Sequence, residues 1–204
     1  MKTNPFYLSL VLLFLFIEIS AQTISIDGEI RPRAEFKDGY KVLPATDSDF
    51  AFSISQRTRL NAFYGSKEFN AYISTQDIRV WGDVNQLDNG SNNKFALHQA
   101  WGEYFIKPGF SIKIGRQELV YDDSRILGNV GWAQQARAHD LGLVKYENEK
   151  IKFHLGLAFN QKNDVLFGTD YFASNANGVY TLNSNYKSMQ FVWLNTKLGK
   201  SPLS

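Results

Sequence analysis

Seven arginines carry most of the chemistry this sequence can do: Arg31, Arg33, Arg57, Arg59, Arg79, Arg116 and Arg137. Arg31 and Arg33 are spaced by two residues, and so are Arg57 and Arg59. In an extended chain, residues i and i+2 share a face, so each pair presents two guanidinium groups side by side. A guanidinium is a planar fork that bonds a carboxylate through two parallel contacts. Asp27, Glu29, Glu35, Asp77, Glu103 and Asp140 lie among the arginines. They would pair some of the guanidiniums, hold their rotamers and limit over-tight binding. The chemistry is therefore recognition of anions, with Asp77, Glu103 and Asp140 joining the seven arginines as candidate binding residues. The competing reading of each is a structural ion pair, which any polar wall needs.

Other chemistries find little support, and we expect no enzyme and no cofactor. His98, His139 and His154 are scattered, with no Ser-His-acid arrangement and no HExxH spacing. The absence of cysteine excludes disulfides and thiolate zinc sites. Asp122 and Asp123 with Asn129 could hold calcium, but a solvated loop explains them better, so no metal is expected. A net charge of +2 gives no bias toward nucleic acid.

The elements that must position the arginines are strands. Residues 50–64 alternate Phe50, Phe52 and Ile54 with Ala51, Ser53 and Ser55. They then set Leu60, Ala62 and Tyr64 against Arg57, Arg59 and Asn61. A period of two is a strand signal. Residues 23–36 repeat it, with Ile24, Ile26, Ile30, Ala34 and Phe36 opposite Asp27, Glu29, Arg31, Arg33 and Glu35. Pro32 on the apolar face needs a bulge or a sheet edge. Further strands are expected at 68–80, 95–107, 110–121, 136–146, 151–160 and 187–198. In 136–146, Leu141 and Leu143 stand opposite Asp140 and Gly142. In 68–80, Asp77 and Arg79 fall on the apolar side, so a one-residue bulge near Thr75 is expected to restore the order. Arg116 likewise falls on apolar parity and is expected to be turned inward by a bulge.

About eight strands result, too long for most globular sheets and long enough to cross a bilayer when tilted. Short turns at Gly65, Pro108 and Asn148 alternate with long connections at Asp38, Asn85, Gly128 and Asn177. That sorting is the habit of an outer-membrane β-barrel, with short turns on one side and long loops outside. A β-sandwich has no reason for it. Aromatics at expected strand ends (Phe50, Tyr64, Trp81, Phe105, Phe110, Tyr121, Tyr146 and Phe159) suit interfacial girdles. The mean hydropathy of -0.29 fits alternating faces that cancel.

Residues 1–21 read as a signal peptide. Lys2 supplies the positive region, Phe6 to Ile17 the apolar core, and Ile19-Ser20-Ala21 the cleavage site. The expected fold class is thus all-β, an antiparallel transmembrane β-barrel. The closing residues Gly199 to Ser204 read as a turn, and no terminal aromatic follows. Residues 22–204 are therefore expected to be the N-terminal portion of a larger barrel of 16–18 strands. A small structural or adhesive barrel and a soluble lipocalin-like binder are the alternatives.

Two segments carry a family resemblance: Ser74 to Gly82 (STQDIRVWG) and Ile114 to Leu119 (IGRQEL). Arg31 with Arg33, Arg57 with Arg59, the stretch ALHQAWGEYF from Ala96 to Phe105, and Trp132 followed by Arg137 and Asp140 support it. Together these resemble the alginate export family of bacterial outer-membrane barrels, over its N-terminal portion. The resemblance implies an integral outer-membrane channel, surrounded by lipid, whose arginine-lined pore passes an acidic polysaccharide or another anionic solute. The residues do not identify any periplasmic partner.

Overall fold

The period-two stretches form strands, and in this computed structural model the strands build one antiparallel sheet. The structure describes residues 22–39, 42–88, 94–161, 173–174, 180–181, 186–198 and 201–203. The expected signal peptide lies outside the described residues. The strands are β1 (Thr23–Lys37), β2 (Ala51–Gly65), β3 (Phe69–Val80), β4 (Phe95–Lys107), β5 (Phe110–Gln117), β6 (His139–Glu147) and β7 (Ile151–Phe159). Next come β8 (Ala173–Ser174) and β9 (Tyr180–Thr181), a separate two-stranded ribbon, then β10 (Ser188–Leu198) and β11 (Ser201–Leu203). Sheet neighbours follow chain order through β7, then β10 and β11. The described residues contain no helix. Among the described residues the sheet is open: β1 pairs only with β2, and β11 only with β10. Residues 201–203, expected within a turn, are thus a strand.

Local chemistry sets the short turns. Ser66 N–H donates to Phe69 O at 2.8 Å. Gly109 has φ +78°, and a Cβ there would stand 2.5 Å from Glu147 O, so only glycine fits. The Asn148 side-chain oxygen accepts from the N–H groups of Lys150 and Ile151 at 2.9 and 2.8 Å, closing the β6–β7 turn.

Pro32 sits opposite Gln56 in unbroken register, without a bulge. Trp81 N–H donates to Ile54 O, so the even-numbered residues of β2 point their main chain toward β3. Odd-numbered residues, Arg57 among them, therefore point toward β1. Arg57 faces Arg31, which leaves the ring nitrogen of Pro32 on the open side of the edge strand, where no ladder bond is lost.

The β2–β3 register is continuous, and the irregularity expected near Thr75 lies on the other neighbour. Ser74 pairs with Gln99 and Thr75 with Leu97, so the extra residue is His98 of β4. This bulge puts His98 and Gln99 on one face together, with Trp101, Glu103 and Phe105 beyond them.

The two faces differ sharply. One carries Ile24, Ile26, Ile30, Leu60, Ile73, Ile114, Leu157, Val192 and Leu194, all exposed; Ile30 is 73%, Ile114 63% and Val192 63% accessible. The other carries the charges of β1 and β2, and the segment 118–138 folds back across it. That segment is longer than the connection expected, because β5 stops at Gln117 and β6 starts only at His139. It also gives the polar face an apolar patch. Leu141 and Leu143 belong to this face, not to the exposed one, and are buried with Leu119 and Ala158. Phe105 and Tyr121 also leave the proposed girdle: Phe105 shares a face with Glu103, and Tyr121 packs against His154, Phe191 and Trp193.

Candidate functional site

The site is the arginine wall of β1 and β2 together with the segment that covers it. Arg31 and Arg57 stand directly opposite each other, a repulsive arrangement unless something intervenes. Glu29 intervenes first. Its Oε1 accepts from Arg57 Nε at 2.9 Å and Nη2 at 2.6 Å, and lies 4.0 Å from Arg31 Nε. Further donors of the wall reach main-chain carbonyls of the folded-back segment. Arg31 donates to Gly131 O at 2.7 Å and Ala133 O at 2.9 Å. Arg33 donates to Trp132 O at 3.0 Å. Arg57 donates to Ala133 O at 3.4 Å and Gln134 O at 3.2 Å. Gln76 of β3 donates to Gln135 O at 3.2 Å.

Five consecutive carbonyls, 131 to 135, thus all accept from side chains of β1–β3. A segment lying on a sheet face has no ladder to satisfy its carbonyls, and burying them bare is costly. The wall supplies the missing donors. The Gln134 side chain strengthens the seam, accepting from Arg31 at 2.9 Å and donating to Ser55 at 2.8 Å. Arg57 is left only 5% exposed.

Glu118 anchors the other end of the segment. Its Oε1 lies 2.7 Å from His98 Nε2 and 3.8 Å from Arg59, and its Oε2 accepts from Asn129 at 2.7 Å. A carboxylate can only accept, so His98 carries its proton on Nε2. Burial alone would raise the Glu118 carboxyl, but the hydrogen bonds from His98 and Asn129 and the nearby charges of His98 and Arg59 outweigh it, and the pKa is lowered. A depressed carboxyl contributes stability above its unfolded pKa and loses it as pH falls through the folded value. We therefore expect thermal stability, followed by circular dichroism, to drop below about pH 4.3, the ordinary glutamate value. Glu118→Gln should flatten that acid limb and lower stability at neutral pH.

A second polar chain runs toward the short-turn end. Glu103, 6% exposed, accepts from Ser111 at 2.6 Å and Lys145 at 2.9 Å. Lys145 also lies 3.6 Å from Glu147, which accepts from His154 Nε2 at 2.6 Å. Burial, with the Glu147 charge behind it, pushes the Tyr121 phenol up to about 12. Tyr121 therefore keeps its proton and donates to His154 Nδ1 at 2.9 Å.

The expected site residues divide into three groups. Arg31, Arg33, Arg57 and Arg59 converge on the covered wall; Arg59 donates to Gln76 at 3.0 Å. Glu103 lies on the same face in the second chain. Arg79, Asp77, Arg116 and Asp140 stand on the apolar face, and no bulge turns them inward. They pair with each other: Arg79 with Asp77 through two contacts of 2.6 Å, Arg116 with Asp140 at 2.8 Å. Each lies at the strand end where a long connection leaves or arrives. Gln56 and Thr58 border them opposite Arg79 and Asp77, and Trp81 donates to Gln56 at 3.0 Å. Arg137 is exposed, and its side chain has no hydrogen bond or ion pair among the described residues.

Glu29, expected to pair arginines of the wall, does so with Arg57. Residues that sequence reasoning left out complete the site: Gln76 on the wall, His98 at the bulge, and Glu118, Asn129 and Gln134 on the segment. Gln76 and Glu118 lie inside the two resemblance segments, so the signal for them was in hand. The calcium candidates do not converge. Asp122 accepts from Trp193 at 3.1 Å, Asp123 pairs with Arg125 at 2.7 Å, and Asn129 serves Glu118. Among the described residues no cluster of three metal-ligating side chains forms. No family model matches the chain, and no curated protein matches it.

Proposed function

We propose that the sheet is part of the wall of an outer-membrane β-barrel whose arginine-bearing face lines an aqueous passage for anionic solutes. The observation that carries this reading is the contrast between the two faces. Eight long strands expose large aliphatic and aromatic side chains on one side, far beyond the patch of a few hundred Å² usual for a soluble monomer. Lipid is the medium that suits such a face, and an open sheet edge is not viable there, so in the membrane the sheet belongs to a closed barrel.

The two outward arginines agree with lipid. Arg79 and Arg116 lie at strand ends on the long-loop side, each neutralised by an aspartate. Arginine facing lipid costs about 2–4 kcal/mol at the midplane but only about 0–1 near the interface. Their place is thus the headgroup border, which removes the need for a bulge.

Inside, rings of arginine select anions, and the planar guanidinium suits carboxylates. By its resemblance to the alginate export family, the solute is an acidic polysaccharide. A second reading has its own observation. Leu119, Leu141, Leu143 and Ala158 pack a dry patch on the inner face, as a filled structural barrel without a passage would. Reversal potentials in planar bilayers under a KCl gradient separate the two. We expect channels that prefer chloride over potassium. Cation preference overturns the anion reading, and absence of conductance favours the filled barrel.

A further inference from the structure

The run 131–135 deserves a function of its own, because it occupies the donors that an anionic solute would need. We propose that this run is a built-in surrogate ligand: its carbonyls fill the arginine site, and an extended polycarboxylate opens the site by exchanging with them. The inference rests on the transport reading above.

Three observations carry it. The run offers five successive acceptor oxygens to a row of donors, which is how a polycarboxylate chain would engage the same wall. The exchange favours the solute, since a carboxylate sets a full negative charge against each guanidinium and can bond its fork through two parallel contacts, whereas a carbonyl offers one neutral oxygen. The run is also held under tension. Val130 and Ala136, the residues on either side of it, have φ of 50° and 53°. Left-handed backbone is unfavourable for a non-glycine residue, and a β-branched valine is a particularly poor occupant. Release relaxes both. Glu118 stays bound to His98 of β4, so the segment remains tethered to the sheet at its start while the run lifts.

A cavity of about 430 Å³ between the run and the upper parts of β1–β3 gives a first foothold. Arg33 and Ser55 line it from the wall, and Trp132 and Gln134 from the run.

The sequence has no cysteine, so one introduced thiol reports on the run. Ala133→Cys places it where the side chain is 7% exposed. Gln134→Cys is the second variant, in case the first does not fold. The rate of modification by a neutral maleimide is measured on the full chain in lipid vesicles. The arms are no addition, oligogalacturonate, and a neutral dextrin of equal length. We expect oligogalacturonate to raise the rate at least tenfold and dextrin to leave it unchanged. A rate that stays flat or falls with oligogalacturonate, in channels that are anion-selective and bind it, overturns the exchange while the transport reading stands. Channels without anion preference overturn both.

Discussion

Replacing Arg57 with methionine is expected to release the folded-back segment from the wall. Arg57 is the most buried of the wall arginines, and its fork divides between Glu29 and the carbonyls of Ala133 and Gln134. Methionine keeps much of the stem volume but removes every donor. The two carbonyls then lose one partner each, though Ala133 O keeps Arg31. Glu29 retains only its 4.0 Å contact with Arg31. Removing a hydrogen bond to a charged group costs roughly 1.5–3 kcal/mol. Water reaches Glu29, whose side chain is 36% exposed, so the lower half of that range applies. The check is a chemical unfolding midpoint together with proteolysis at Arg125, an exposed basic residue of the segment. We expect a lower midpoint and faster cutting. Unchanged cutting would mean that the remaining contacts hold the segment without Arg57.

The second large effect concerns charge selection. Arg59→Glu should lower or invert anion preference in planar bilayers. Arg59 sits on the inner face beside Gln76 and Glu118, and its Nη2 is buried without a hydrogen-bond partner. Reversal changes the local charge by two and puts a new carboxylate next to Glu118, where like charges repel across a short distance of low dielectric. Two controls decide whether position matters. Lys67→Glu changes an exposed turn, and Arg116→Glu changes the outward face. Both should leave selectivity near wild type. If Arg116→Glu equals Arg59→Glu, the assignment of faces is wrong. If all three are silent, the arginine wall does not select ions.

The arrangement also explains why a polar wall tolerates so many cations. Arg31, Arg33 and Arg57 are not a free electropositive surface. Most of their donors are committed to Glu29, to the Gln134 side chain or to main-chain oxygens, and Arg33 and Lys37 share Glu35 at 3.3 and 3.5 Å. A passage lined this way holds its charges in fixed places. On the proposed reading, oriented guanidiniums would give it selectivity, and acceptors already in place would keep it from trapping a solute.

Much of the fold was legible from local alternation. The sequence by itself determined eight long strands, their antiparallel order, the three short turns and the division of β1, β2 and β7 into an apolar and a polar face. Those follow from period two and from turn residues such as Gly109 and Asn148, which act over a few positions. Parity also put Arg79 and Arg116 on the apolar side, and that literal reading was right; the error lay in expecting a bulge to correct it. What only the tertiary structure decided is the covering of the wall. Arg31 and Gln134 are 103 residues apart, and no local pattern marks carbonyls 131–135 as ligands for β1 and β2. The same long-range packing turned Leu141 and Leu143 inward, since a leucine takes whichever side offers an apolar roof. It also placed the bulge at His98, where the carboxylate of Glu118 gives the extra residue a partner. Alternation is a property of each strand alone, whereas these contacts depend on strands and a loop meeting across the sheet.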